Sequence, residues 1–399
     1  MRDGEVGRWG LAKPGPEDGL EVIVKLVGES CNLNCHYCYE RRKPYDQAKV
    51  LDAASLGRFL RLCGGRPLSI GLHGGEPLLV GRDRMRSLFE VFRAYPGRLR
   101  LNLQTNATLL DDTWLDFLDR EWQELHLGIS LDGTQEMNEH RVDSRNQSTF
   151  AQVVGCLNRL ERRGKLVGVI SVVTRLALGG ASQLLDLLGE FKTVAAVNLA
   201  PCLDYNVSSK NYRNLSGKAI RVLNPRAEGV PGWATTPDEY ATFVTAAFDH
   251  WRARGLFHQF TVEPITSVLR KLMGKGAESC HFQESKCAFV LTLYPDGRIG
   301  SCDELGMPEA ALGELRELDS LEPLLDLRHK PDWDQALGGL MKKCSTCSYQ
   351  TTCGGGCLAT RKRYLGTEFD EAYCAYRAKL IDHVRSALHD SRLLAERAS

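Results

Sequence analysis

The feature that most constrains this 399-residue chain is the placement of its 14 cysteines. Eleven of them fall at two places: Cys31, Cys35 and Cys38 in one short loop, and eight more between Cys280 and Cys374. Clusters at such short spacings suit metal thiolates better than crosslinks. The start, Met1-Arg-Asp-Gly, has no apolar export segment that would point to a disulfide-forming compartment. No apolar run approaches the ~18–20 residues of a membrane span. The 51 Lys and Arg against 50 Asp and Glu leave a net charge of +1, which offers no basic footprint for nucleic acid. With 43% apolar residues a large core is available. The expectation is a cytoplasmic globular protein with no membrane or nucleic-acid partner.

From residue 20 to 200, apolar strands alternate with amphipathic helices. Strands are predicted at Leu20–Val27, Pro67–His73, Arg98–Gln104, Glu124–Leu131, Leu166–Thr174 and Val194–Ala200. Helical patterns lie between them at Ala53–Leu62, Asp112–Asp119, Phe150–Arg162 and Ala181–Phe191. Six βα repeats predict a parallel sheet, rolled into a partial (β/α)6 TIM-type barrel or opened as a doubly wound sheet. In either form the chemistry belongs at the C-terminal ends of the strands. Asp204–Trp233 is polar and aperiodic and reads as a connection or lid. Thr236-Pro237-Asp238-Glu239 then opens a helix with an N-cap, a first-position Pro and a capping-box Glu. The expected divisions are an N-terminal extension (1–19), the barrel (20–203), a connection and bridging helix (204–275), a cysteine-rich domain (276–378) and a C-terminal helix (379–399), part of an Arg-rich helical stretch from Ala375 to Ala398.

Cys31-Asn-Leu-Asn-Cys35-His-Tyr-Cys38 follows the first strand directly. Three thiolates at these spacings can each hold one iron of a cubane cluster and leave the fourth iron open. Zinc is the competing reading, but a structural zinc wants four ligands, and His36 sits between two of the cysteines, badly placed to fold back. Gly74-Gly75-Glu76-Pro77 follows the second strand, Gln104-Thr105-Asn106 ends the third, and Ser130-Leu131-Asp132-Gly133 ends the fourth, with Arg141 beyond it. Taken together, these residues resemble the radical S-adenosylmethionine enzymes over roughly residues 22–200. The resemblance implies an iron–sulfur cluster whose open iron chelates S-adenosylmethionine, and one-electron cleavage to a radical that abstracts hydrogen from an unactivated carbon. It implies that Gly74 and Gly75 allow the backbone close to the cofactor, that Glu76 accepts hydrogen bonds from its ammonium, and that Arg141 faces its carboxylate. Tyr37 would lie near the adenine, and Gln104, Asn106 and Ser130 would complete the cofactor pocket. Taken singly, Glu76 or Arg141 reads as an ordinary surface charge.

Among the later cysteines, Cys287 and Cys302 sit on the arms of a predicted hairpin turned by Pro295-Asp296-Gly297. Cys344-x2-Cys347-x5-Cys353-x3-Cys357 and Cys374 follow, so that with Cys280 there are eight thiols. This pattern resembles the SPASM extension, which carries two auxiliary [4Fe-4S] clusters and makes three clusters in all. The resemblance implies that Cys280, Cys287, Cys302 and Cys357 hold one cluster and Cys344, Cys347, Cys353 and Cys374 the other. Paired four-thiolate zinc sites remain the alternative.

Cys63 and Cys156 lie on predicted helices and read as core fillers. Cys202, at the end of the sixth strand, is a candidate for substrate contact. A carboxylate is needed to take the proton shed in an oxidative radical reaction, and Asp303 matches the base proposed in sulfatase-maturing relatives. Its bland alternative is a turn cap, and Asp204 and Tyr205 are weaker candidates. Cys38-Tyr39-Glu40 and Leu131-Asp132-Gly133 look like the peptide-maturase group. The expected function is therefore oxidative crosslinking of a side chain in a ribosomally made peptide. Its expected partners are a precursor peptide, a flavodoxin or ferredoxin donor, and a separate leader-binding adaptor, because the 30 residues before Cys31 look too few for a fused one. Formylglycine maturation of a sulfatase type, small-molecule dehydrogenation or epimerisation, and a non-catalytic zinc module stand as alternatives.

Overall fold

The computed structural model describes residues 14–15, 17–40, 49–203, 232–284, 287, 289–305, 307, 310–325, 338, 342–364 and 369–398. The connection expected at 204–233, with Asp204 and Tyr205, lies outside the described residues except for its last two positions.

All six expected strands form: β1 (Leu20–Lys25), β2 (Leu68–His73), β3 (Leu99–Thr105), β4 (His126–Ser130), β5 (Val167–Val173) and β6 (Val194–Pro201). They pair in parallel in sequence order, with Leu20 opposite Leu68 and Leu68 opposite Leu99. Alternating burial along β2 and β5 shows why: one face of Leu, Ile and Val packs into the apolar core with the covering helices, while the half-buried face, with His73, Ile170 and Val172, lines the barrel interior. Those helices are α1 (Ala53–Leu62), α2 (Arg82–Arg93), α3 (Asp112–Glu121), α4 (Phe150–Arg162) and α5 (Ala181–Gly189). The Asp52 side chain caps α1 by accepting from the Ser55 amide, and Asp111 does the same for α3 through Trp114. Met85, Leu88, Phe89 and Phe92 form the buried stripe of α2.

Helix α6 (Pro237–Ala253) begins with the full Thr236/Glu239 capping box. It is followed by β7 (Thr261–Glu263), a seventh parallel strand beside β6, and by α7 (Ile265–Leu272). The sequence gave no sign of β7, because three residues are too few for a period of two to show.

The hairpin expected in the cysteine-rich region is β8 (Val290–Leu293) and β9 (Arg298–Gly300), antiparallel, with Gly297 at φ +87° in the turn. β10 (Ala311–Glu314) adds a third strand. β8 also runs parallel to β1, so the hairpin extends the barrel sheet in the order β10-β9-β8-β1-β2-β3-β4-β5-β6-β7. Two short helices, α8 (Gln350–Cys353) and α9 (Leu358–Tyr364), precede the long α10 (Phe369–Ala398), which starts six residues before the expected Ala375. α10 lies along α6, with Tyr376 edge-on to Tyr240 (5.7 Å) and His383 bonded to Asp249 (2.8 Å). The fold is thus an α/β partial barrel with a cysteine-rich extension grafted onto its first strand. Among the described residues no helix is long and apolar enough to cross a membrane.

Candidate active site

A cavity of about 730 Å³ opens at the C-terminal ends of the strands. Cys31, Cys35 and Cys38 line one side, and Cys280 and Cys357 line the other. None of the 14 cysteines is in a disulfide. The first loop is pinned to the segment after β4 by backbone bonds from Asn34 to Val142 (2.7 Å) and from His36 to His140 (3.0 Å). Burial pushes the Cys31 thiol up to about 12 and that of Cys35 to about 11, the latter despite the opposing Arg141 charge. Without a metal these sulfurs would therefore stay protonated, and a bound cation would reverse that.

The glycines of the second turn have a close neighbour on the side away from the cavity as well. A Cβ on Gly75 would stand 2.0 Å from the Ser30 carbonyl oxygen, and one on Gly74 2.6 Å from that of Gly28. The turn presses against the backbone leading into the cysteine loop, which leaves no room for a side chain, and both glycines also line the cavity. The expectation for Glu76 is corrected. Its side chain is fully buried and accepts from the Leu78 amide (3.0 Å), the Thr105 hydroxyl (2.8 Å) and the Asn106 amide (2.8 Å), and it is not on the cavity wall. It ties the Gly74-Gly75 turn to the end of β3, and burial raises its pKa against those bonds. An ammonium in the cavity would meet the neighbouring wall instead.

That wall includes Gln104, whose amide donates to the Ser130 hydroxyl (3.1 Å), and Asn106, which donates to Asn32 (2.9 Å) and reaches the Cys31 sulfur at 3.7 Å. Tyr37 and Arg141 line it as well. The Tyr37 hydroxyl donates to Asp132 and accepts from Arg141 (2.7 Å), while Arg141 lies 3.7 Å from Asp132. Asp132 is fully buried and sets the orientation of both side chains. The sequence reading takes Leu131-Asp132-Gly133 only as a family motif, because the contacts of Asp132 with Tyr37 and Arg141 come from distant segments. The Nε of Arg141 has no hydrogen-bond partner among the described residues. A polar wall with one arginine that keeps an unspent donor, beside three thiols, fits a cluster-chelated amino acid such as S-adenosylmethionine.

At the junction of β1 with the hairpin lies a charged cluster that sequence reading found only in part. Asp303 accepts from Lys25 (3.1 Å) and from the Tyr39 hydroxyl (3.0 Å), and Lys25 also binds Glu40. His73 Nδ1 is 3.7 Å from the same Asp303 oxygen. Lys25 is fully buried, yet its pKa rises, because the fields of Glu40 and Asp303 outweigh burial. His73, Tyr39, Glu40 and Glu304 reach the cavity, and Asp303 stands directly behind them. Ligand atoms of Glu40, His73 and Asp303 converge within 4.8 Å, as a metal site would, but the Lys25 ammonium already supplies the positive charge there. The sequence signal was a single lysine inside the apolar run Leu-Glu-Val-Ile-Val-Lys-Leu-Val.

The later thiols separate into two groups. Cys344 feels the fields of Cys353, Cys374 and Cys347, while Cys302 feels those of Cys287 and Cys357. Cys280 and Cys357 face the cavity, and the group around Cys344 does not. Gly354 lies at φ +60° where a Cβ would sit 2.5 Å from the Phe282 carbonyl, which lets the turn after Cys353 close on residues next to Cys280. Cys63 and Cys156 are buried in the apolar core, and Cys202 lines the cavity beside Tyr37 and Trp233.

Residues 26–180 match the model of the Radical SAM superfamily. Over that segment the chain is similar to the radical SAM enzymes. The similarity to curated proteins runs well beyond that segment. A serine-type anaerobic sulfatase-maturating enzyme of Bacteroides thetaiotaomicron is 27% identical over 88% of this chain and 84% of its own length. A cysteine-type anaerobic sulfatase-maturating enzyme of Clostridium novyi is 25% identical over 86% of this chain and 89% of its own. The solved structure of native anSMEcpe with bound AdoMet and Cp18Cys peptide shares the fold, with a TM-score of 0.74 and 21% identity over 94% of this chain and 99% of that one. These relatives overturn the expectation of a peptide-crosslinking enzyme, because the likeness that runs through both cysteine regions is to sulfatase-maturating enzymes. The short motifs that suggested crosslinking, around Tyr39 and Asp132, do structural work around Asp303 and Arg141 and do not discriminate between products.

Proposed function

We infer that this protein uses S-adenosylmethionine and [4Fe-4S] clusters to oxidise a serine or cysteine side chain of a polypeptide to formylglycine, the chemistry implied for its sulfatase-maturating relatives. Cys31, Cys35 and Cys38 would hold the cluster that binds S-adenosylmethionine, and the eight later thiols the two auxiliary clusters. When bound, the cofactor supplies hydrogen-atom abstraction from a carbon that no side-chain base can deprotonate. Formylglycine would form by loss of one hydrogen atom from the side-chain carbon, one proton from its hydroxyl or thiol and one electron, which an auxiliary cluster would accept; from cysteine, water would then replace the sulfur, released as hydrogen sulfide.

The observation that carries this reading is the position of the Asp303 cluster, between the two cysteine regions and at the cavity wall. His73 faces the cavity and Asp303 lies behind it at 3.7 Å, so the proton from the substrate hydroxyl or thiol enters through His73 and is held by the pair. Lys25 and Tyr39 fix the Asp303 carboxylate in that orientation. Arg141, Gln104 and Ser130, which line the cavity, would hold the amino-acid end of the cofactor. The test is an anaerobic incubation of the reconstituted enzyme with S-adenosylmethionine, a reductant and serine- or cysteine-containing sulfatase peptides. An aldehyde captured by a hydrazide probe is the expected product. Cofactor cleavage with no aldehyde on either peptide would overturn the reading.

A further inference from the structure

Two arginines of the C-terminal region point at sulfur. Arg377, on α10, donates from Nε to the Cys353 sulfur at 3.0 Å. Arg361, on α9, donates from Nη2 to the Cys374 sulfur at 3.1 Å. Both side chains are buried, Arg377 to 1% exposure and Arg361 to 5%. Each guanidinium is also held over a ring, Arg377 at 4.0 Å from the Phe282 centroid and Arg361 at 4.7 Å from that of Tyr373. Neither contact is an accident of a loose surface side chain. The two target sulfurs belong to the same group of thiols, the one around Cys344 that lies away from the cavity.

Arginine is charged at any working pH, and an interior of low dielectric screens that charge poorly. Reducing an iron–sulfur cluster adds one negative charge, and hydrogen bonds to its sulfurs together with nearby positive charge stabilise that added electron. We propose that Arg361 and Arg377 raise the reduction potential of the cluster held by Cys344, Cys347, Cys353 and Cys374 above that of the cluster held by Cys280, Cys287, Cys302 and Cys357. An electron delivered to the cavity-side cluster then passes outward, oxidising that cluster by one unit and reducing the outer one by one unit. It leaves to an external carrier of the flavodoxin or ferredoxin class.

The two arginines are not equivalent. Arg361 shares its charge with Asp370 through a bond of 2.9 Å, and Lys343 shares the same carboxylate. Arg377 spends its remaining N–H groups on the His281 and Cys353 carbonyls and the Tyr376 hydroxyl. No carboxylate neutralises it among the described residues, so Arg377 exerts the larger effect. Its bond to His281, next to Cys280, also places it between the two groups of thiols.

The proposal rests on the auxiliary-cluster reading of the eight thiols but not on the identity of the substrate. Its test uses none, so a failed oxidation assay and an unmoved potential are separate results. In the full-length protein with Cys31, Cys35 and Cys38 all changed to Ala, only the auxiliary clusters, with about eight irons, contribute to the electron paramagnetic resonance signal. Potentiometric titration should show two midpoints, with Cys347→Ser marking the outer cluster. Arg377→Gln should move the outer midpoint to more negative potential, Arg361→Gln should move it less, and the double variant furthest, with the inner midpoint unchanged. Should a Gln variant lose iron, Arg377→Lys and Arg361→Lys carry the test, because they keep the charge but lose the fork and should give a smaller negative shift. An outer midpoint that stays in place with iron retained, or a shift confined to the inner cluster, overturns the proposal.

Discussion

The two cysteine regions use the same side chain in opposite surroundings. Cys31, Cys35 and Cys38 border an open cavity, and the donors on the Cys31 sulfur are neutral: the Leu33 amide at 3.3 Å and the Asn106 amide at 3.7 Å. The nearby cation, Arg141, bonds to Tyr37 rather than to sulfur and keeps a donor in reserve. The group around Cys344 instead faces away from the cavity and receives charged donors from Arg361 and Arg377. A site that must exchange ligands needs room and unspent donors. A site that stores an electron needs enclosure and fixed positive charge. The Asp303 cluster joins the segment after the first loop, through Tyr39 and Glu40, to Cys302 of the cavity-side thiols.

The comparison breaks most sharply at the first loop. Changing Cys31, Cys35 and Cys38 to Ala should abolish reductive cleavage of S-adenosylmethionine while most iron in the later region remains, read by product chromatography and iron analysis. Cleavage that persists would mean the open cluster has been misplaced. Next in size is Asp303→Asn, expected to lower peptide oxidation by about 10²–10⁴-fold, the usual worth of a positioned acid or base, while cofactor cleavage continues uncoupled from product. Equal losses of both activities would reduce Asp303 to a structural cap.

Lys25→Met should destabilise the holoprotein by ~3–5 kcal/mol, the cost of breaking a buried ion cluster by removing one partner, because Glu40 and Asp303 are left facing each other. An unchanged melting curve would show that the junction carries no net charge. Gly75→Ala should cost ~1–3 kcal/mol through overpacking against Ser30 and should deplete iron from the first loop rather than the second. Iron lost equally from both would uncouple the turn from that loop. The smallest effect concerns pH. Burial and the facing His36 hold the His140 pKa down at about 4, so its contribution to stability is present above about 6.5 and lost as pH falls towards 4. His140→Gln should flatten that part of the stability profile, and a slope that is the same in both proteins would remove His140 from it.

Much of the fold was legible because its signals are local. Runs of Val, Leu and Ile at β2 and β5 and the Thr236 capping box act within a few residues, and they appear where the sequence puts them. β7 was too short to show a period, and the pairing of β8 with β1 joins positions about 270 residues apart, which no local pattern encodes. The site divides in the same way. Cysteine spacing, the Gly74-Gly75 turn and Asp303 could be picked out in the chain, whereas the true duties of Glu76 and Gly75 depend on what the fold presses against them.

The sequence by itself determined the inventory: eleven clustered thiols, an α/β repeat whose strand ends carry Gly, Asn, Ser and Arg, and one carboxylate beside Cys302. Tertiary structure decided the allocation. It buried Lys25 between Glu40 and Asp303, set His73 against the same carboxylate, turned Glu76 inward, and aimed Arg361 and Arg377 at two sulfurs of one group. The reason is physical. Residue type and short-range spacing fix what chemistry a side chain can perform, but its charge, donors and access to solvent depend on neighbours that only long-range packing brings within a few ångströms.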